Sequence, residues 1–81
     1  MQITLIFYAA LEEAISREPM LLEVAEGSTA KQLIEQLSQR FPQAAPILKA
    51  TRLAHEDEYV GKHAVLSGGA EYCLIPPVSG G

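Results

Sequence analysis

Tryptophan is absent from these 81 residues, cysteine occurs once, histidine twice, and lysine and arginine together only six times. A single cysteine excludes an intramolecular disulfide and fits a reducing compartment, so a cytoplasmic protein is expected. His55 and His63 have no second ligand at a useful spacing and no second cysteine to join them, so no metal site is expected. Six cations against ten carboxylates leave a net charge of −4 and a pI near 5.0. Nucleic-acid binding needs clustered cations and is not expected; docking onto basic partners suits an acidic surface. Nowhere does an apolar run approach the ~20 residues needed to span a bilayer. The N-terminus lacks the charged-then-apolar layout of a signal peptide, so no membrane association is expected. Gly61-Lys62 resembles the end of a phosphate loop, but the upstream glycine and the downstream Ser or Thr are missing. No Ser-His-Asp set can be argued either. The chain offers no self-contained catalytic constellation and should bind no cofactor of its own.

What is present is a foldable body. Hydrophobic residues make up 48% of the chain and charged residues 20%, which argues against disorder and for one domain. A chain this short buries only about 60–65% of its unfolded surface, so a compact core of marginal stability is expected. Gln2 to Tyr8 reads as a strand with Ile3, Leu5 and Phe7 on one face. Ile6 and Tyr8 join Gln2 and Thr4 on the other, which suggests a central position in a sheet. Ala9 to Ile15 consists mostly of helix formers and predicts a short helix. After Pro19, Met20 to Val24 predicts a second strand, antiparallel to the first. Thr29 with Gln32 matches a capping box, with Ser28 as the alternative cap. Ala30, Leu33, Ile34, Leu37 and Phe41 then form one apolar stripe at helical spacing, and Pro42 ends it. Residues 43–50 read equally as a helical turn or as a loop with apolar anchors. Arg52 to His55 predicts a strand, Glu56-Asp57-Glu58 a charged turn, and Tyr59-Val60 a short edge strand. Ser67-Gly68-Gly69 turns into a last strand, roughly Glu71 to Ile75. Cys73 lies within that strand with no His or Lys nearby in sequence to activate it, so a structural thiol is expected. Ile3, Leu5, Leu33, Leu37 and Leu74 are the expected core. Pattern alone supports an α+β fold with one main helix across a mixed sheet.

Beyond Ile75 the chain reads Pro76-Pro77-Val78-Ser79-Gly80-Gly81. Two prolines cannot continue a central strand and hold the backbone extended. A diglycine end is narrow enough for a channel that any Cβ would block. The expected division is a folded body over residues 1–75 and a flexible tail over 76–81.

Leu74-Ile75-Pro76-Pro77-Val78-Ser79-Gly80-Gly81 resembles the C-terminus of the sulfur carriers of the MoaD/ThiS family, ubiquitin-like β-grasp proteins that include the small subunits of molybdopterin synthase. Gly69-Ala70-Glu71 stands where the family has a Gly-Asp-Glu turn, with Ala70 in place of the Asp. Phe7-Tyr8-Ala9-Ala10-Leu11-Glu12-Glu13 is similar to the family's N-terminal Phe-Ala-x-Leu-Arg-Glu segment, without the Arg. The resemblance implies a β-grasp fold with the first and last strands parallel neighbours. It also implies a sulfur-carrying role. An adenylyltransferase similar to ubiquitin-activating enzymes would use ATP to activate Gly81, a sulfur donor would convert it to a thiocarboxylate, and Gly80 would let the tail thread a channel. A synthase large subunit, in a heterotetramer, would receive Pro76, Pro77, Val78 and Ser79 as the stalk. Alongside these, Phe7, Tyr59 and Ile75 are expected in an exposed apolar patch against that partner. A thiamine-pathway carrier, a ubiquitin-like modifier and a plain interaction domain are the competing readings; a free-standing enzyme fits least.

Overall fold

Six residues begin the sheet as β1 (Gln2–Phe7), and two neighbours pair with it. On one side β2 (Met20–Glu23) runs antiparallel, with Ile3 opposite Leu22; on the other β5 (Glu71–Ile75) runs parallel, with Leu5 opposite Tyr72 and Phe7 opposite Leu74. Antiparallel to β5 lies β3 (Arg52–His55), and β4 (Glu58–Val60) closes the far edge. The sheet order is therefore β2-β1-β5-β3-β4, with β5 at the centre. This is the α+β fold expected from the sequence pattern, in the ubiquitin-like β-grasp arrangement that the family resemblance implies. The computed structural model describes residues 1–77; Val78, Ser79, Gly80 and Gly81 lie outside the described residues.

Period-two alternation decides what each strand buries. Ile3, Leu5 and Phe7 of β1, Leu22 of β2, Leu53 of β3, and Tyr72 and Leu74 of β5 point to one face and are all buried. Against them packs α2 (Ala30–Arg40) with Ala30, Leu33 and Leu37. Each fully buried leucine contributes about 1.5–3 kcal/mol. The helix begins where the capping box places it. Thr29 Oγ1 accepts the Gln32 N–H at 3.2 Å, and Gln32 Oε1 accepts the Thr29 N–H at 2.9 Å. Such a cap is worth about 0.5–2 kcal/mol. The five core residues expected from the sequence are each 1% exposed or less.

Smaller elements complete the cover. The short helix α1 (Ala10–Ala14) buries Leu11. Residues 43–50 settle as helix: a 3₁₀ turn (Pro42–Ala44) runs into α3 (Ala45–Lys49), where Pro46 occupies the first turn and Leu48 is fully buried. Burial of Ala44 and Leu48 under α2 chose helix over loop there. Glu58, expected in the charged turn, instead starts β4. The turn itself is Glu56-Asp57, with φ of 49° and 66°, the positive values a two-residue type I′ hairpin demands at both positions. Between β4 and β5 the chain is tied to the start of α2: Leu66 N–H donates to Ser28 O at 2.8 Å, and Val65 bridges Thr29. Among the described residues no helix is long and apolar enough to cross a membrane.

Candidate functional site

Among the described residues no helix covers the opposite face of the sheet. Alternation places Thr4, Ile6, Leu21, Ala54, Tyr59, Cys73 and Ile75 there, and Tyr8 continues that side just past β1. Leu21, Tyr59 and Tyr8 are 62%, 59% and 45% exposed, while Ile6, Ala54, Cys73 and Ile75 are half-buried among them. Exposed apolar side chains grouped this way mark an interaction surface rather than scattered surface residues.

At its centre is an open depression of about 420 Å³. Tyr8, Ala54, Tyr59, Cys73 and Ile75 form its floor and sides, and Glu56, Asp57 and Glu58 form one wall. The wall stands where it does because the I′ turn folds β4 back onto β3. Tyr59 is oriented by Arg52, whose guanidinium carbon lies 4.0 Å from the ring centroid. A contact of that kind contributes about 0.5–1 kcal/mol at an exposed site. On the inner side of the same hairpin, the His55 ring lies 5.1 Å from the Tyr72 ring, and its Nδ1 lies 2.9 Å from Glu71 O. These two contacts tie the hairpin to the central strand.

Tyr8 and Cys73 meet across β1 and β5, with the phenolic oxygen 3.8 Å from Sγ. The phenol's pKa is raised above its ordinary value. The side-chain hydrogen bond to Cys73 contributes most, followed by the electrostatic influence of the same thiol. The Tyr8 hydroxyl therefore keeps its proton, and its hydrogen-bonding capacity, through neutral pH.

Of the residues expected to meet a partner, Tyr59 and Ile75 lie on this surface. Phe7 does not. It is 2% exposed, in the core beside Leu5 and Leu74, because the parity that buries Ile3 and Leu5 buries every second residue after them. Tyr8, one position on, is the aromatic that faces outward, and strand parity was the signal that distinguishes it. Cys73, expected as an enclosed structural thiol, is half-buried on the open face. Leu21, Ile6 and Ala54 were missed because each is ordinary in sequence and gains meaning only beside the others. Pro76 is buried and Pro77 exposed, so the chain leaves the packed body between them, at the end of the central strand. Val78, Ser79, Gly80 and Gly81, the remainder of the expected stalk and its acceptor, lie outside the described residues. Among the described residues no three His, Cys, Asp or Glu are grouped to hold a metal ion.

Comparison with known proteins places this geometry in context. The ThiS family model matches residues 5–81. A molybdopterin synthase sulfur carrier subunit of Arabidopsis thaliana is 28% identical over 80 residues, covering 99% of this chain and 83% of that one. Among solved structures, SAMP1 of Haloferax volcanii superposes with a TM-score of 0.80 at 22% identity, over all of both chains. A chain of the complex of subunits 1 and 2 of the molybdopterin-converting factor from Helicobacter pylori does so at 0.68 and 22%, again over all of both.

Proposed function

Because this chain belongs to the ThiS family, we propose that it is the sulfur carrier subunit of a molybdopterin synthase, with Gly81 as the residue that carries the sulfur. The observation that carries the reading is the family match running through residue 81 on a body whose open apolar face adjoins the strand that leads into the tail. A subunit of this kind needs a partner surface and a reactive terminus, and no catalytic cluster of its own. The similarity to the Arabidopsis thaliana carrier subunit supports the same assignment.

The chemistry follows from what a carboxylate lacks. It is a poor electrophile and a poor sulfur source, so a separate adenylyltransferase must activate it. One Gly81 carboxylate oxygen attacks the α-phosphorus of ATP, and pyrophosphate leaves. Hydrosulfide released by a sulfur donor then adds to the acyl carbon, AMP departs, the proton on sulfur is lost, and a thiocarboxylate remains. The open face docks on a synthase large subunit; a partner of that kind is supported by the Helicobacter pylori neighbour, which is a complex of subunits 1 and 2. The tail, with Gly80 keeping it narrow, delivers the sulfur to cyclic pyranopterin monophosphate. Sulfur is softer and more polarisable than oxygen, which makes the thiocarboxylate the better nucleophile. Orientation and exclusion of water fall to the large subunit's pocket.

Deleting Gly81 shortens the reach by about 3.3–3.6 Å, and misplacement near 1 Å already costs about a hundredfold. In a system reconstituted with a large subunit, an activating enzyme, ATP, a sulfide source and the pterin precursor, the deletion variant should fold, bind the large subunit, and form no molybdopterin. Intact mass of the wild-type chain should show one oxygen replaced by sulfur. Full molybdopterin synthesis by the chain lacking Gly81 would overturn the reading. Isopeptide adducts in place of thiocarboxylate would point to a modifier instead.

A further inference from the structure

The few cations of this acidic protein are not scattered. Four of the six, Lys31, Lys49, Arg52 and Lys62, border one groove of about 540 Å³ between the start of α2, the end of α3 and the outer strands β3 and β4. Ile34, Leu53 and Val60 give it an apolar lining, and Glu35 is its single carboxylate. The groove is thus net positive on a chain whose net charge is −4. Arg52 turns its guanidinium to the Tyr59 ring, but Lys31, Lys49 and Lys62 form no ion pair among the described residues. The surface on the other side of the sheet is walled by Glu56, Asp57 and Glu58. The two surfaces therefore differ in sign.

We propose that this groove docks an acidic segment of a partner protein, in which Asp or Glu residues flank an apolar side chain. Charge complementarity selects the occupant. Ammonium groups spread around an apolar floor match carboxylates spaced along a peptide whose apolar side chain fills the middle. A compact anion such as a phosphate fits less well, because the backbone donors that would cradle it are already used. Ala30 N–H donates to Ala64 O at 3.0 Å and Lys31 N–H to Lys62 O at 2.8 Å. The inference stands apart from the proposed sulfur chemistry, since it concerns a different face and needs no reaction at Gly81.

A display library of short random peptides, selected on the full-length chain, supplies the probe. Enriched peptides should be rich in Asp and Glu around one or two apolar positions. Their addition should shift the backbone amide NMR signals of Ile34, Leu53 and Val60 more than those of Ile6 and Cys73. Affinity should fall about tenfold or more in a folded Lys31→Glu/Lys49→Glu/Lys62→Glu variant, weaken as salt is raised, and survive Tyr59→Ala. The proposal is overturned by a selection that enriches nothing, by enriched peptides without excess acid, by shifts centred on the open sheet face, or by unchanged binding to the triple variant. Peptides matching the chain's own 56–58 turn, with concentration-dependent self-association, would replace the partner by a second copy and overturn it too.

Discussion

On the inner face of the sheet, Ile3, Leu5, Phe7, Leu22, Leu53, Tyr72 and Leu74 are each 5% exposed or less, whereas on the outer face Leu21, Tyr59 and Tyr8 stand 45–62% exposed. Both faces are built from the same classes of side chain. The difference is what lies over them: α2 and α3 seal the first, and no element of the described residues covers the second. Apolar area on the inner face is removed from water during folding, and its free energy appears as stability. Apolar area on the outer face stays wet until a partner arrives, so its free energy is available for association. Hydrophobicity alone therefore does not say which role a residue plays; its side of the sheet does.

The sharpest way to break that contrast is to cut into the sealed face. Leu37→Ala leaves a cavity under α2 and should cost about 2–5 kcal/mol, a large share of what a domain of this size possesses. Urea denaturation reads it directly. An unchanged midpoint would mean that the inner face does not hold the fold together.

Truncation on the open face should do the reverse. Tyr59→Ala removes a central aromatic and should weaken binding to the proposed large subunit by about 2 kcal/mol, roughly thirtyfold. Stability should fall by no more than about 1 kcal/mol, the worth of its contact with Arg52. Calorimetric titration beside a urea curve separates the two quantities. A loss of stability without a loss of affinity would place Tyr59 with the core residues.

A smaller effect belongs to the hairpin that walls the depression. Glu56 and Asp57 both hold positive φ, which Glu seldom adopts and which Gly takes with less strain than Asp, so Glu56→Asn with Asp57→Gly should raise stability by about 1 kcal/mol. A thermal melt that moves down instead would show that the acidic pair is favourable where it stands.

The smallest effect is local and electrostatic. Tyr8 has a folded-state pKa above its unfolded value of about 10. Protonated phenol is therefore favoured by folding: the contribution is complete below pH 10 and lost as pH rises through the folded-state pKa. Cys73→Ala removes the hydrogen bond and the electrostatic influence of the neighbouring sulfur, so the phenol's ultraviolet titration should shift down toward ordinary tyrosine. A midpoint that stays put would mean that Tyr8 does not sense Cys73.

Much of this architecture is legible in the sequence. The positions of the five strands and the main helix follow from alternation, from the stripe Ala30-Leu33-Leu37, and from Thr29 and Gln32 as a cap, all of which are local physics. Residues 43–50 were ambiguous because one proline, Pro46, and a few apolar residues satisfy a loop and a short helix equally. Only the burial of Ala44 and Leu48 beneath α2 separates the two. Phe7 was misjudged by following a family-like partner patch in place of the parity that already set it beside Ile3 and Leu5.

By itself, then, the sequence determined the strands and the main helix, a core of Ile3, Leu5, Leu33, Leu37 and Leu74, and the acidic, cation-poor character of the chain. Tertiary structure decided which distant residues share a surface. Tyr8 meets Cys73 only because β1 and β5 are parallel neighbours, and Tyr59 stands beside them because β3 and β4 fold onto the far side of β5. Lys31, Lys49 and Lys62 border one groove only because α2, α3 and the chain after β4 converge at one edge. Periodicity governs neighbours two to four positions apart, where backbone geometry alone sets the side-chain direction. Surfaces assembled from residues dozens of positions apart depend on strand order, and non-local packing chooses that order.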